Sequence, residues 1–232
     1  MKEKVISSAI IAAGIVILGL CIKGGIDNFV NKDRQVTVKG LAEVEVMADK
    51  VTWPVQTKIM GNDLPSLYAE ASSKQQTIKS FFMHNGLKED EIMLGVSTVN
   101  DLEANEWSEN KKGYRYIVTS NMTVTSTNVE LVRSLINRQS EMLKQGIAFS
   151  NDYNSMPIYE FIAFKEKKAE MMKDAITNAQ KTAEQFAENS HSTINKIVKA
   201  DQGQFSIDNS SETTPWVKKI RVVTTVTYSL KD

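Results

Sequence analysis

The side chains that most often perform chemistry in proteins are scarce in this sequence. His84 and His191 are its only histidines, and Cys21 is its only cysteine. Each histidine lies at the end of a predicted helix, where an imidazolium interacts favourably with the helix dipole. A zinc site usually draws on several cysteine or histidine ligands, so a site here would depend on distant carboxylates. The sequence therefore predicts no metal centre and no bound cofactor.

Three consecutive carboxylates, Glu89, Asp90 and Glu91, form the densest acidic group. A pair of carboxylates can act as acid and nucleophile in glycoside hydrolysis, given the right separation. Adjacent carboxylates in a turn, however, usually form a solvated surface or cap a helix. We therefore interpret this group as part of a turn rather than as a catalytic pair.

The basic residues are also arranged for structure rather than for catalysis. Lys165, Lys167 and Lys168 alternate with Glu166 and Glu170, a pattern that favours ion pairs on a helix surface over a phosphate site. The sequence contains no nucleophile elbow, P-loop or dinucleotide-binding motif. Its ten methionines are interpreted as core filling, with an oxidant sink as the alternative. We predict no catalytic residue and expect that the protein is not an enzyme.

Trp107 is the one residue that the sequence singles out as an interaction site. It lies in the polar stretch Glu103–Gly113, which separates two predicted strands. A tryptophan in such a loop either folds back onto the sheet or contacts a partner, and both alternatives remain open. Loops on a rigid sheet often carry recognition, so Trp107 is the predicted interaction surface.

The overall charge excludes one class of partner. The 28 basic and 28 acidic residues leave no net charge at pH 7. Nucleic-acid binding usually requires a clustered basic face, so we expect no nucleic-acid partner. A single cysteine forms no intrachain disulfide, so cysteine pairing does not indicate the redox compartment.

The N-terminal segment predicts a membrane anchor. The eighteen residues Val5–Ile22 contain no charged side chain and are flanked by lysines, including Lys23. As a helix, this run is just long enough to cross the hydrocarbon core of a bilayer. We predict a short tail at residues 1–4, an uncleaved transmembrane signal anchor at 5–22, a linker at 23–34 and a folded domain at 35–232.

Three other interpretations of the N-terminal segment remain open: a cleaved signal peptide, a lipoprotein signal and a cytosolic protein. A cleaved signal peptide would need small residues after the apolar run, which Lys23–Ile26 does not supply convincingly. A lipoprotein signal would use Cys21, but Leu20 directly before it fits that signal poorly. Behind so short a tail, the large C-terminal part is expected to be exported.

Alternating apolar and polar residues predict the strands of the folded part. Val36–Val46 and Val51–Ile59 are predicted to pair as an antiparallel hairpin around the turn Ala48–Lys50. Gly40 favours a bulge or a close approach, and Pro54 favours an edge or irregular position. The remaining predicted strands are 92–102, 114–126, 147–158, 194–207 and 217–230.

Three helices are predicted in the folded part. The first follows the N-cap Asp63 and ends before Asn85, the second spans Asn128–Gln145, and the third spans Tyr159–Asn189. In the third helix alanine recurs at every fourth position, so the helix can lie close against a sheet with larger side chains at the edges of the contact. The alanines are Ala175, Ala179, Ala183 and Ala187, and the edge residues are Met172, Ile176 and Phe186.

The order of these elements predicts the fold class. After the N-terminal transmembrane helix, strands and helices follow as ββαββαβαββ. Antiparallel strand pairs separated by helices are typical of α+β folds. We expect one or more largely antiparallel sheets covered by three helices.

Several segments resemble the SIMPL-domain family. Val36–Gly40, continued by Glu43–Val46 and Ala48–Val51, is similar to the opening motif of that family. Ala42 stands where the family usually has a second glycine. Later segments are also similar: Gly86–Ile92, Gly113–Tyr116, Ser120–Val124, Ala175–Ala187 and Val222–Tyr228.

The resemblance covers about residues 36–230 and implies a setting for the protein. SIMPL-domain proteins are typically bacterial envelope proteins, often periplasmic, linked to oxidative-stress defence or to immunogenicity. Some assemble into large rings, and no catalytic residues are established for the family. Together with the predicted N-terminal anchor and the absence of catalytic motifs, the resemblance favours a non-enzymatic, homo-oligomeric protein of the bacterial inner membrane, with a single pass and its C-terminal domain in the periplasm. The alternative is a periplasmic enzyme or small-ligand-binding module with a cleft that the sequence does not locate.

Overall fold

The structure is a computed structural model of the chain. It describes residues 2–30, 34–104 and 113–231, and within the first helix it describes the side chains of residues 12–26. The chain forms two compact units. The first comprises Met1–Val44, Lys165–Ser206 and Ile220–Asp232, and the second comprises Glu45–Phe164 and Ile207–Lys219.

The N-terminal segment forms one helix, α1 (Lys2–Val30). Its described side chains are all exposed, including Ile15, Leu18 and Ile22. Within the residues that the structure describes, however, no helix combines the length and the apolar character that crossing a bilayer requires. The predicted helix is therefore confirmed, but its assignment as a transmembrane segment is not supported.

The first unit is built on a sheet whose strands run in the order β1-β9-β7. These strands are β1 (Gln35–Met47), β9 (Val217–Lys231) and β7 (Thr193–Asp201), and β8 (Phe205–Asn209) also pairs with β9. β7 runs antiparallel to β9, with register shifts at Ile197. The boundaries between the units fall within β1, β8 and β9 and directly after Phe164.

Helix α5 (Phe164–Asn189) packs on this sheet through its alanines. All four predicted alanines are buried, and Ala179 and Ala183 pack against Val38 and Val226. A Cβ atom added to Gly40 would lie 1.9 Å from the Ala175 carbonyl oxygen, so only glycine allows this approach. The predicted close contact between helix and sheet is confirmed.

The edges of the alanine contact differ from the prediction. Ile176 is 39% exposed and Phe186 is 59% exposed, and Met171 rather than Met172 is buried. The alanine stripe lies so close to the sheet that its larger neighbours turn outward around the helix.

Helix α5 also begins at Phe164 instead of Tyr159, because the preceding residues are held by Asp49. The Asp49 carboxylate accepts hydrogen bonds from the backbone N–H groups of Ile162 (2.7 Å) and Ala163 (2.8 Å).

The second unit contains a five-stranded antiparallel sheet in the order β3-β5-β2-β6. Its long central pair is β2 (Lys50–Gly61) and β5 (Tyr116–Ser126). The other strands are β3 (Ile92–Leu94), β4 (Thr98–Asp101) and β6 (Ile158–Glu160), of which β3 and β4 both pair with β5.

The helices of the second unit are α2 (Leu64–His84), α3 (Val129–Asn137) and α4 (Gln139–Leu143). As predicted, Asp63 caps α2, accepting a hydrogen bond from the Ser66 backbone N–H (3.1 Å). The core between helices and sheet contains large side chains. They include Trp53, Phe82, Val124, Leu135 and Met142.

The predicted hairpin of the first two strands is wrong. β1 pairs with β9, whereas β2 pairs with β5 and β6. The turn between them does not close on itself, because Ala48 N–H donates to the Trp216 carbonyl (2.8 Å) and Asp49 N–H donates to the Glu160 carbonyl (3.0 Å). Of the two alternatives predicted for Pro54, the edge position is confirmed: β6 pairs only with Lys50–Thr52, so β2 has an open edge on that side at the proline, while its pairing with β5 continues in register.

Two further predictions are corrected in the second unit. The helix predicted at 128–145 is divided at Arg138, and the break turns Met142 into the core and leaves Leu143 exposed. The strand predicted at 147–158 is reduced to one bridge, Thr57 with Phe149, followed by a 3-10 turn and β6. The α+β class with antiparallel sheets is confirmed, while these element boundaries are not.

Candidate functional site

The second unit contains an open cleft of about 870 Å³. One wall is formed by the 3-10 turn Tyr153–Ser155 and β6, and the other by the loop between β8 and β9. Its apolar lining residues are Tyr153, Met156, Pro157, Ile158, Tyr159 and Pro215, and its polar ones are Asn154, Asn209, Glu212 and Lys218. The cleft is therefore a mainly apolar surface with a few polar groups, as is common in small-molecule sites.

Local hydrogen bonds hold both walls in place. In the first wall, Ser155 N–H donates to the Asp152 carbonyl (2.8 Å) and Ser155 Oγ donates to Gln56 Oε1 (3.3 Å). In the second wall, Ser210 N–H donates to the Val217 carbonyl (2.8 Å), which closes the loop before β9. Hydrogen bonds within the protein therefore fix the shape of both cleft walls.

Lys218 is the unusual group of the cleft. It is only 9% exposed, on the face of β9 that is buried at every second position. Its ammonium donates to Asn209 Oδ1 (2.5 Å), and in the part of the chain that the structure describes it has no carboxylate at ion-pairing distance. Burial lowers the pKa of Lys218, against the opposing influence of Glu160 and Asp208.

One lining residue of the cleft, Tyr159, belongs to an aromatic and cationic stack whose other members, Trp216 and Arg133, lie outside the cleft lining. The buried Tyr159 ring meets Trp216 edge to face, with ring centroids 6.1 Å apart. The guanidinium of Arg133 lies 3.7 Å from the Trp216 ring centroid. Burial raises the pKa of Tyr159, and Arg133 opposes that change. The tyrosine is therefore a fixed, neutral wall at neutral pH.

A second cavity of about 280 Å³ lies beside Trp53 and Pro54. Its carboxylate, Asp152, already binds Lys58 (2.5 Å) and accepts a hydrogen bond from Ser150 Oγ (2.9 Å). These contacts hold the pKa of Asp152 below its usual value. At this cavity Lys58 and Asp152 neutralise each other, whereas the ammonium of Lys218 has no carboxylate partner at ion-pairing distance among the described residues.

In the first unit, the feature of interest is the outer strand β7. It lies at the end of the strand order, and nearly all of its side chains are exposed. Ile197 is 54% exposed and Val198 is 52% exposed. An edge strand with exposed apolar side chains is a common place for another chain to pair.

The residues considered from the sequence are not brought together. The predicted interaction residue, Trp107, lies outside the described residues. His84 Nδ1 lies 3.0 Å from the Ser80 carbonyl oxygen, His191 follows α5, and Cys21 is exposed on α1. Among the described residues, no group of three potential metal ligands occurs.

The charged clusters have the structural roles predicted for them. Glu89–Glu91 forms a 3-10 turn, in which Glu89 pairs with Lys79 (2.6 Å). Lys167 pairs with Glu170 on the surface of α5 (3.0 Å). These contacts confirm a turn in the first case and helix-surface pairing in the second.

Lys218 was not predicted from the sequence, although its position in the last strand is unusual. In the strand predicted at 217–230, the period of two places Val222, Thr224, Val226 and Tyr228 on one face. Counting back by twos places Lys218 on that same face, where a charged residue is unusual.

A family model described as SIMPL, protein of unknown function (DUF541), matches residues 36–228. A search of curated proteins found no match. The matched range includes residues of both compact units and the whole of the cleft lining.

Proposed function

The chain belongs to the SIMPL family, and on that basis we propose that it is a non-enzymatic scaffold of the bacterial cell envelope that assembles into homo-oligomers. In this proposal α1 attaches the chain to the inner membrane, the folded part lies in the periplasm, and the protein contributes to oxidative-stress defence. The single observation that carries the assembly is the exposed edge strand β7.

Strand β7 supports self-assembly by its position and composition. A strand at the end of a sheet carries backbone N–H and C=O groups that can pair with a second chain. Ile197 and Val198 add two exposed apolar side chains to this edge. Pairing between copies would bury both side chains and complete the backbone ladder.

The assembly is tested by light scattering after size-exclusion chromatography of residues 32–232. We expect a multi-subunit particle that dissociates to monomers in the double variant Ile197→Glu/Val198→Glu. The matched control is Ile162→Glu, an exposed isoleucine of the second unit, which should leave the particle intact. A monomeric wild type, or a double variant that assembles like the wild type, would refute the edge-strand proposal.

The membrane attachment rests on the uncharged run Val5–Ile22 and on the exposed apolar side chains of α1, such as Ile15 and Leu18. Fractionation of cells should place the full-length protein in the inner-membrane pellet, with the folded part cleaved by protease only after the outer envelope is opened. Mass spectrometry of the N-terminus distinguishes an uncleaved anchor from a cleaved or lipid-modified one. A full-length protein recovered without membranes would contradict the proposal.

The stress role is supported by the family resemblance alone. A strain that lacks the gene should survive hydrogen peroxide less well than the wild type, and the wild-type gene should restore survival. Equal survival of the two strains would argue against this role.

The cleft favours a second candidate function, a module that binds a small ligand. The observation behind it is Lys218, a buried cation whose partner at hydrogen-bonding distance is the neutral side chain of Asn209. This function is compatible with assembly, since the cleft and β7 belong to different compact units.

A further inference from the structure

The starting observation is the charge of Lys218, which the protein satisfies incompletely. Burying a cation is costly unless it is paired with an anion and hydrogen-bonded. The ammonium has three N–H donors, and among the described residues it has one acceptor, the neutral Asn209 Oδ1. A buried lysine in this state gains more from an incoming anion than a solvated lysine does.

The carboxylates around the cleft do not supply that anion. Glu160 binds Lys50 (2.9 Å), and Asp208 influences Lys218 only at longer range. Glu212 lines the cleft and is exposed. In the described residues, none of these three reaches ion-pairing distance of the ammonium, so the place open to a counter-charge is the cleft itself.

The walls of the cleft define the rest of the ligand. The exposed ring of Tyr153 and the half-buried rings of Pro157 and Pro215 offer surfaces on which a planar ring can pack. A cleft of about 870 Å³ is large enough for a small organic molecule, in the range typical of such sites. The chemistry that fits both features is one negative charge attached to an aromatic body.

On these grounds we propose that the cleft binds a small aryl-substituted monocarboxylate, whose carboxylate pairs with Lys218 and whose ring packs against Tyr153, Pro157 and Pro215. This inference rests on the second candidate function and names its ligand class. A dianion such as phosphate fits less well, because Glu212 adds repulsion and one lysine is the only cation lining the described cleft. A cationic ligand would meet the ammonium directly.

The test uses the full chain and two probes of the same shape, 3-phenylpropionate and its neutral isostere 3-phenylpropanamide, titrated by ligand-observed NMR. We expect the carboxylate to bind at least about tenfold more tightly than the amide, because only the carboxylate gains the charge-assisted bond to Lys218. Lys218→Gln should reduce carboxylate binding to the level of the amide. Lys196→Gln, at an exposed lysine of the first unit, should preserve the preference.

A second variant keeps the test valid if Lys218→Gln fails to fold. Glu212 is exposed, so Glu212→Gln should leave the fold intact and tighten carboxylate binding a few-fold by removing repulsion. Weaker carboxylate binding in this variant would contradict the proposal.

The pH dependence gives a further readout. Carboxylate affinity should fall as pH rises through the pKa of Lys218, which burial holds below its ordinary value of 10.5 while Glu160 and Asp208 oppose the change. Affinity that persists unchanged up to the titration range of exposed lysines would overturn the assignment of Lys218.

The remaining outcomes separate the ligand class from the binding function. Equal binding of the amide and the carboxylate would overturn the carboxylate proposal and retain the cleft as a ligand site. Binding of neither probe would overturn both. Neither outcome affects the oligomeric state, which is measured separately on β7.

Discussion

The two compact units fill their interiors in opposite ways. In the first, α5 meets the sheet through alanines and Gly40, so the contact depends on the absence of side-chain volume. In the second, the core depends on large side chains such as Trp53 and Phe82. Added volume should therefore damage the first unit most, and lost volume should damage the second.

The largest expected effect is a loss of volume in the second unit. Phe82 is fully buried and its ring lies 5.4 Å from that of Trp53, centroid to centroid. Phe82→Ala should lower the free energy of unfolding by about 4 kcal/mol, because the substitution leaves a cavity. Denaturant unfolding measures the change. Phe186→Ala, at an exposed phenylalanine of the first unit, should change it by less than about 0.5 kcal/mol.

Next in size is an addition of volume to the first unit. Gly40→Ala would place a methyl group against the Ala175 backbone, which cannot move aside as a flexible side chain could. We expect a loss of about 3 kcal/mol in denaturant unfolding. Gly25→Ala adds the same methyl group to α1, where nothing lies within 4 Å, and should not destabilise the protein. Equal stability of the two variants would refute the close contact.

A smaller effect, of opposite sign, is expected at the cleft. Lys218→Met should raise the free energy of unfolding at pH 7 by about 1 kcal/mol, because a buried cation with a neutral partner is replaced by an apolar side chain. The folded-state pKa of Lys218 is lowered, so the wild type binds fewer protons when folded and gains stability as pH rises towards 10.5.

The advantage of Lys218→Met should therefore shrink between the lowered pKa and 10.5. Thermal unfolding at a series of pH values tests both parts. Lys196→Met, at an exposed position, should show neither the gain nor its pH dependence. A variant that is less stable than the wild type at pH 7 would contradict the account of Lys218 as an uncompensated charge.

The smallest effect concerns how helices end in the two units. In the second unit, Gly86 after α2 and Gly146 after α4 adopt the left-handed backbone conformation, with positive φ. In the first unit, the corresponding residue after α5 is His191, with φ of 53°. His191→Gly should stabilise the protein by about 0.5 to 1 kcal/mol, because a side chain is strained in this region. Ser190→Gly, without positive φ, should give no such gain.

Local patterns in the sequence predicted much of the architecture. The alternation in β5 and β9, the Asp63 cap and the alanine repeat of α5 each depend on residues within one element. Such signals are local because a helix or strand repeats its own geometry. The close approach at Gly40 was predictable for the same reason, since a glycine within a strand indicates missing volume.

Pairing between elements was not predictable in the same way. The hairpin of β1 and β2 was expected because the two strands are adjacent in sequence, yet Ala48 and Asp49 bond to Trp216 and Glu160, which are distant in sequence. The break between α3 and α4 at Arg138 was not predictable either. It allows Met142 to pack in a core whose other residues come from distant parts of the chain.

By itself the sequence determined the α+β class, most of the strands and helices, and the lack of any familiar catalytic motif. Each of these can be recognised from the spacing and order of residue types along the chain. The tertiary structure alone decided which strands share a sheet and that Lys218 enters a cleft beside Asn209 and Tyr159. The physical reason is that burial and charge compensation depend on neighbours from remote parts of the chain, which no local pattern specifies.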